Sequence, residues 1–508
     1  MWQEISRIAL LGTDQTGIPD ALRTRLDELD LPPGADEAET LLIALAAAGQ
    51  MRKAGQPLRT FSGELPSAPL LETDDRPVCS PAAVRYLTAI LQQNRTEVLF
   101  EFFGLLREFG QQLPPEVLPE LLEKSKPGDQ LARELRQISG PRIRALAEHL
   151  PALRDRFADP EPEVWETGTE AERVRFLRWL REHAPDSARE LLLDVWERES
   201  TTARAAFLGT LRINLDTDDE ELLDLALTDG RKEVYGLAAD LLALLPASAY
   251  AERMRDRTDR LVQFTGKTWA IQLPPPPTEL ETADGIRPKA ATSRSGGTRA
   301  NHLVQLLRAV DPDHWSERFG QSPSEVAAGW ARTDVAADAL QGLTEAVVRF
   351  GRTHWAEPLL RFHLTQPSVN FLSEKQLDAL VGMLSAAAFN DLLTERLRAA
   401  GPEPLGPKHP LLKILERQPH PLNENAAFLL IKPLQRMNPT VLPRTLAYHY
   451  NVLNNAALRI PAALYGRLDA GWNHDALRRT GAFSMIEQFM QTLLFRRDMR
   501  RVFESLEV

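Results

Sequence analysis

The sequence predicts an all-α protein and, within that class, a HEAT-like or armadillo-type α-solenoid of stacked helical hairpins. Between Glu170 and Phe264, amphipathic helices alternate with short breaks, and equivalent residues such as Arg173 and Arg204 recur 31 positions apart. No segment shows the alternating β-branched residues that are typical of strands. A two-helix repeat indicates a solenoid because one hairpin cannot bury its own apolar face and stacks on its neighbours. An irregular helical bundle with accidental spacing is the alternative.

The first predicted helix pair begins with residues 170–183, which carry an inward stripe at helical spacing: Val174, Leu177 and Leu180. Pro185 separates this helix from the next. We expect Asp186 and Ser187 to accept hydrogen bonds from the free N–H groups that begin the second helix. That helix extends to about Arg198, and its predicted inward residues are Leu191, Leu192, Val195 and Trp196.

A second and a third pair follow. The second starts at Thr201 and repeats the offsets of Arg173, Leu177 and Leu180 with Arg204, Leu208 and Leu211. Its partner helix starts at Asp216, and the residues predicted to lie inside are Leu222, Leu223, Leu225 and Ala226. The third pair starts at Arg231, is divided by Pro246, and repeats the stripe with Val234, Ala238 and Leu241.

Helices are predicted on both sides of this block. In front lie a helix over residues 1–13, a helix over 36–54, a loop over 56–80 and an aromatic-rich helical region from Pro81. In the first of these helices, the predicted inward residues are Trp2, Ile5, Ile8 and Ala9. Behind the block, the predicted helices cover residues 301–310, 334–351, 373–388, 410–417, 423–437, 439–453 and 483–506.

Composition divides the chain into four parts: an N-terminal helical region (1–160), the HEAT-like repeats (161–264), a Pro/Gly/Ser-rich linker (265–299) and a C-terminal helical region (300–508). The linker contains four consecutive prolines and a Ser/Gly tract, a composition that cannot form a core. We expect the proline part to be stiff and the Ser/Gly part to be flexible. A docking site for a partner that recognises proline-rich segments is the alternative.

Charge is distributed unevenly along the 508 residues, whose net charge is −11. Residues 299–508 carry 24 Lys and Arg against 21 Asp and Glu, a net of +3, which leaves −14 for residues 1–298. An acidic front half repels phosphate backbones and disfavours nucleic-acid binding. The N-terminus lacks the order of a signal peptide, and no apolar run reaches the ~18 residues of a membrane helix. The cytoplasm is therefore the expected location.

The sequence indicates no catalytic residue, metal site or cofactor. Thr265-Gly-Lys-Thr268 resembles the end of a phosphate-binding loop, but Leu261, expected on a helix, stands where that loop needs glycine. The histidines form no pair at the helical spacing of metal ligands. Cys79 is the only cysteine, which excludes an intrachain disulfide, and a buried inert thiol is favoured over a nucleophile.

Acidic residues on the second helices of the repeat block form the favoured candidate binding surface. Glu190, Asp194, Glu221 and Asp224 fall on matching faces, and stacking would align them into an acidic strip that recruits a basic partner protein. A solvated face without a partner is the alternative. A second candidate surface is basic and lies near the C-terminus, at Arg496, Arg497, Arg500 and Arg501.

Four stretches of the chain resemble a bacterial family of unknown function. They are Trp2 with Ala9-Leu-Leu-Gly-Thr13, the block from Glu166 that ends Ala238-Ala-Asp-Leu-Leu-Ala-Leu-Leu-Pro246, Asp284-Gly-Ile286, and Leu493-Leu-Phe-Arg-Arg497. Members of that family are encoded beside a SWIM-type zinc-finger protein, a MoxR-type AAA+ ATPase and a von Willebrand factor A domain protein. The resemblance therefore implies a companion role for this chain and no activity of its own.

Two functions from different classes remain. The favoured one is a non-catalytic scaffold or adaptor whose surface binds a protein, with an AAA+ ATPase or von Willebrand factor A domain protein as the implied partner. The other is a HEAT-like, nucleic-acid-acting enzyme of the DNA glycosylase kind, which needs a basic concave surface and a catalytic acid in a cleft. The acidic front half argues against the enzyme. The sequence leaves the oligomeric state open.

Overall fold

The computed structural model describes residues 2–54, 76–126, 129–150, 153, 157, 159–287 and 296–505. Its contacts divide the chain into two compact units, residues 1–70 and residues 71–508. Apart from one two-stranded sheet and an isolated β-bridge between Val78 and Gln112, the described secondary structure is helical, so the predicted all-α class is confirmed. The predicted domain boundaries at residues 160, 264 and 299 stay predictions, and most of the predicted loop over 56–80 lies outside the described residues.

The first unit contains four described helices: α1 (Trp2–Leu11), α2 (Thr13–Thr16), α3 (Asp20–Asp27) and α4 (Glu37–Ala54). Helix α1 packs on α4 and buries Ile5 and Ile8 in a small core. The prediction that Trp2 and Ala9 also point inward was wrong, since Trp2 is 43% exposed and Ala9 is exposed. Only the side of α1 that carries Ile5 and Ile8 meets the core, and the guanidinium of Arg52 lies over the Trp2 ring.

In the second unit, the described helices before residue 296 include those of the repeat block. They are α5 (Pro81–Gln92), α6 (Thr96–Glu108), α7 (Leu118–Lys124), α8 (Gln130–His149), α9 (Val164–Thr167), α10 (Glu170–His183), α11 (Pro185–Val195), α12 (Thr201–Leu208), α13 (Glu220–Leu227), α14 (Lys232–Leu242), α15 (Ala249–Asp259) and α16 (Glu279–Ala283). Short 3-10 helices adjoin several of them, at Pro115–Val117, Trp196–Arg198, Gly209–Arg212 and Thr217–Asp219.

The remaining described helices follow residue 296. They are α17 (Thr298–Leu307), α18 (Pro312–Phe319), α19 (Pro323–Trp330), α20 (Ala336–Phe350), α21 (Ala356–Thr365), α22 (Glu374–Met383), α23 (Ala386–Ala400), α24 (Pro410–Arg417), α25 (Glu424–Gln435), α26 (Leu442–Arg459), α27 (Tyr465–Asp469), α28 (His474–Leu477) and α29 (Phe483–Glu504). Two further 3-10 helices lie at Thr353–Trp355 and Ala462–Leu464.

Contacts between helices follow a regular order within this unit. Many helices pack on the helix two places further along the chain. Such contacts join α10 to α12, α12 to α14, α20 to α22, α22 to α24 and α24 to α26. A second set of contacts of the same kind joins α19 to α21, α21 to α23 and α23 to α25. One cluster of buried apolar side chains extends through these helices from Trp165 to Leu493. The last long helix, α29, packs on α26 and also on α5 and α6.

Most predicted helices of the repeat block are present, with two corrections. Asp186 and Ser187 do not cap α11, because Pro185 occupies its first position and Ala184 its N-cap. Pro185 has no N–H to offer in any case, so this helix start needs one hydrogen bond fewer. Leu225 was predicted to lie inside but is 41% exposed, since α13 buries only one side, against α14.

The sequence did not predict the β-hairpin that follows α15. Strands β1 (Val262–Phe264) and β2 (Trp269–Ile271) pair antiparallel, and the Thr-Gly-Lys-Thr segment is the turn between them. Leu261 lies beyond the end of α15, not on a helix as expected. Gly266 has a φ of +86°, a backbone conformation that glycine adopts without strain. This segment therefore has the local structure of a hairpin turn.

Aromatic side chains fix the hairpin to the helices that follow it. Trp269 stacks on Phe264 with ring centroids 4.6 Å apart and meets Phe319 and Trp330 edge-on. Such aromatic pairs add stabilisation beyond the area they bury. The following proline segment lies against α17, because Arg299 donates a hydrogen bond to the carbonyl oxygen of Pro274.

We predict that Gly329→Ala destabilises this unit. A Cβ atom at residue 329 would lie 2.2 Å from ring atoms of Trp269, and the aromatic neighbours leave that ring little room to move. Overpacking of this kind costs about 1 to 3 kcal/mol of unfolding free energy. Gly104→Ala is the matched control, since the same substitution in α6 meets no atom within 4 Å. Thermal and denaturant melts of the two variants measure the difference, and equal melts would contradict the packing.

Candidate functional site

The four acidic residues predicted as a partner-binding surface all lie exposed on α11 and α13. Glu190 and Asp194 are on α11, and Glu221 and Asp224 are on α13. Asp194 accepts a hydrogen bond of 2.8 Å from Arg198 on the same side of its helix, so part of its charge is offset locally. Whether the four residues act as one binding strip stays a prediction.

Asp224 has a more crowded setting than an isolated surface acid. Partial burial, followed by the negative charge of Glu220, raises the pKa of Asp224 above its ordinary value. Arg253 acts in the opposite direction, and Asp284 adds to the repulsion. Asp284 is itself paired with Arg253 over 2.7 Å and with Arg257 over 2.6 Å, so cations of the chain already offset part of the negative charge at this end of the surface.

Beneath this surface, a fully buried ion pair joins the first two helix pairs. The two guanidinium Nη atoms of Arg181 donate to Asp219 over 2.9 and 2.7 Å, and both side chains are 0% exposed. The remaining N–H groups of Arg181 donate to the carbonyl oxygens of Ile213, Pro185 and Asn214. All five donors of the guanidinium are thus satisfied, as a buried arginine requires.

The backbone is shaped to meet this arginine. Asn214 adopts a φ of +50°, a region that asparagine tolerates better than most residues, and its side-chain amide donates to the carbonyl oxygen of Arg181. Arg189, on α11, lies within 4.0 Å of carboxylate oxygens of Asp186, Asp216 and Asp219. The starts of α11 and of the segment leading to α13 are therefore held side by side.

A second kind of ionic contact occurs twice in the repeat block, and its two arginines have the predicted spacing. Arg173 lies over the ring of Trp165 and donates to Glu199. Thirty-one residues later, Arg204 lies over the ring of Trp196 and donates to Asp229. The sequence pattern predicts that the two arginines are equivalent but does not predict their tryptophan partners, although Trp165 and Trp196 are also 31 residues apart.

The structure brings together a half-buried polar cluster that sequence reasoning missed. Asp240 on α14 accepts a hydrogen bond from Arg349 on α20, and Arg308 lies 3.8 Å from the same carboxylate. Burial raises the pKa of the nearby Tyr250 to about 12, because the ionised phenol loses its water. These groups lie far apart in the sequence, so no local pattern indicates their meeting. Their charges offset one another, which suits a structural role.

The basic surface expected near the C-terminus is largely occupied by contacts within the chain. Arg496 is 7% exposed and donates to Glu101 on α6 and to two carbonyl oxygens at the end of α26. Arg500 pairs with Glu108, while Arg497 and Arg501 pair with Asp498. Arg496 is therefore not available to a partner, whereas the side chains of Arg500 and Arg501 are 43% and 65% exposed, and a binding role for them stays a prediction.

The described residues offer no metal site, since no group of three or more His, Cys, Asp or Glu is close enough to hold an ion. Several histidines instead contact a backbone carbonyl or a single acid. His449, for example, is 1% exposed and hydrogen-bonded to the Thr445 carbonyl oxygen. In the part of the chain that the structure describes, no single helix is long and apolar enough to span a membrane. Helices α22 and α23 pass that test only together, across a bend of 118°.

The model of the Family of unknown function (DUF5691) matches residues 4–503. The chain belongs to this family. The match covers both compact units of this DUF5691 protein, including the acidic surface, the buried Arg181–Asp219 pair and the C-terminal helix α29. No curated protein and no solved structure is significantly similar to the chain.

We predict that Arg181→Met strongly destabilises the protein. The substitution removes the guanidinium and leaves the carboxylate of Asp219 buried, with Arg189 at 3.6 Å as a weaker partner. Breaking a buried pair on one side costs about 3 to 5 kcal/mol of unfolding free energy. Arg178→Met is the control, because Arg178 is exposed on the same helix. The double variant Arg181→Met, Asp219→Leu should recover part of the loss in a denaturant titration, and no recovery would contradict the pairing.

A second prediction concerns the single thiol. Cys79 is 4% exposed, and burial raises its pKa to about 11, so little thiolate forms at mildly alkaline pH. We expect a chromogenic disulfide reagent to modify native Cys79 far more slowly than the unfolded chain, with the rate rising as pH increases toward the raised pKa. Rapid modification of the folded protein would contradict the burial of this thiol.

Proposed function

We propose that this DUF5691 protein is a non-catalytic scaffold or adaptor that binds a partner protein through stacked, HEAT-like helix pairs. The observation that carries the proposal is the recurrence of the Trp–Arg–acid contact after 31 residues, at Arg173 and Arg204. It supports a repeat, because Trp and Arg recur together and each arginine pairs with an acid further along the chain, Glu199 in the first case and Asp229 in the second. Contacts of each helix with the second helix along the chain also suit a stacked array.

The partner surface is the set of exposed acids on α11 and α13. These acids lie beside a cluster that is itself acidic, where Arg189 is shared among several aspartates. A basic protein surface would relieve this excess of negative charge, whereas a nucleic-acid backbone would be repelled. This supports a protein partner over the glycosylase alternative. The family resemblance adds the class of partner, a MoxR-type AAA+ ATPase with a von Willebrand factor A domain protein.

We expect charge reversal of the four acids to remove the partner without unfolding the protein. Exposed substitutions usually change stability by under about 0.5 kcal/mol each. The variant combines Glu190→Lys, Asp194→Lys, Glu221→Lys and Asp224→Lys. Its control reverses four exposed acids elsewhere: Asp334→Lys, Asp391→Lys, Asp475→Lys and Glu487→Lys.

The partner recovered by the wild-type protein is identified, purified and titrated against both variants. We expect loss of binding only for the α11 and α13 variant, and weaker wild-type binding at higher salt because the charges are screened. Equal binding by both variants would show that the acids are only a solvated face. Circular dichroism melts establish that both variants are folded.

A further inference from the structure

A pocket of about 390 Å³ lies between the end of α23 and the exposed side of α25. The two helices pack on each other, and α23 ends at Gly401, whose φ of +93° turns the chain away from the helix. The volume is within the range of about 300 to 1,000 Å³ that is usual for ligand sites. The pocket is thus large enough to receive side chains of another molecule.

Three cations line this pocket: Arg398 from α23, and Lys432 and Arg436 from α25 and its end. All three side chains are exposed, and none of them forms an ion pair of 4.0 Å or less with a described carboxylate. No carboxylate is among the described residues that line the pocket. Glu403 lines the smaller cavity that adjoins it. The pocket is therefore a local concentration of positive charge in a protein of net charge −11.

Neighbouring arginines in the same half of the chain have acidic partners. Arg361 pairs with Glu357, Arg417 with Glu374, and Arg467 with Glu424 over 2.6 Å. This pairing is not general, since exposed arginines such as Arg478 and Arg479 are without an ion pair to a described residue as well, and what distinguishes the three pocket cations is that they line one pocket. Like charges that line one pocket repel one another, so an anion that enters is attracted by all three.

The space between the cations is apolar. Leu397, Phe428 and Leu429 contribute side chains to the lining, and Leu397 is 5% exposed at its base. Lys432 lies 4.8 Å from the centroid of the Phe428 ring, and Arg467 lies 4.6 Å from it. Single-stranded nucleic acid needs free aromatic faces for its bases to stack on, and this ring is already occupied by two cations. A ligand that combines carboxylates with aliphatic side chains fits the lining better.

We propose that this pocket binds an acidic segment of a partner protein, with carboxylates paired to Arg398, Lys432 and Arg436 and an aliphatic side chain packed on Leu397 and Leu429. The inference goes beyond the proposed function, because that function places the partner on the acidic surface of α11 and α13. It rests on the proposed function only in that both assign a protein partner. A synthetic probe tests the pocket without any cellular partner, so either proposal can fail alone.

The probe is a fluorescein-labelled synthetic peptide rich in glutamate with interspersed leucine, titrated against the full-length protein by fluorescence anisotropy. The pocket variant is Arg398→Glu, Lys432→Glu, Arg436→Glu. A matched control, Lys375→Glu, Arg478→Glu, Arg479→Glu, changes the net charge equally at exposed residues outside the pocket lining. A milder pocket variant with glutamine at the three positions is used if the glutamate variant melts early.

We expect saturable binding that weakens with salt, a Kd raised at least about tenfold by the pocket variant, and a near-normal Kd for the control and for the four-lysine variant of α11 and α13. The proposal is overturned if the peptide does not bind, if a peptide with glutamine in place of glutamate binds equally well, or if the control variant loses as much affinity as the pocket variant. It is also overturned if ATP, pyrophosphate or a single-stranded oligonucleotide displaces the labelled peptide at a lower concentration than the unlabelled peptide does.

Discussion

The acidic surface of this protein depends on one interaction beneath it, the buried pair of Arg181 and Asp219. Two charges without access to water are tolerated only when every polar atom has a partner, and here the guanidinium gives all five of its N–H groups to the carboxylate and to three carbonyl oxygens. Those carbonyls belong to Pro185, the first residue of α11, and to Ile213 and Asn214 in the segment that precedes α13. The pair therefore fixes where both helices start, and with them the position of the exposed acids.

Much of the helical framework could be predicted because its signals are local. The stripe of Val234, Ala238 and Leu241 is fully buried as expected, and helix starts at residues such as Pro81 follow from the fixed φ of proline. The wrong predictions concern residues at which a second local or tertiary effect outweighed the sequence pattern. Pro185 displaced the expected caps of α11, and Leu225 is exposed because α13 has a neighbour on one side only.

What sequence reasoning could not supply is the identity of partners distant in the chain. Arg496 resembles the exposed arginines around it, and only the structure shows that it reaches Glu101. Trp269, in the unpredicted hairpin, likewise depends on aromatic residues of α18 and α19. For the candidate site, the four acids could be predicted as exposed, since they occupy the polar side of amphipathic helices. The cations of the α23 and α25 pocket could not, because their lack of partners is a property of the folded chain.

The attachment of α29 to α5 and α6 has a consequence for how the protein is made. Glu101 and Arg496 are separated by 395 residues, and at about 5 to 20 residues synthesised per second, α6 leaves the ribosome roughly 20 to 80 s before its partner exists. During that interval the apolar side of α6 that will receive Phe503 is open to water or to a chaperone. The packing of α6 is therefore completed only after α29 has been released, and a message truncated before α29 yields a chain with this surface permanently uncovered.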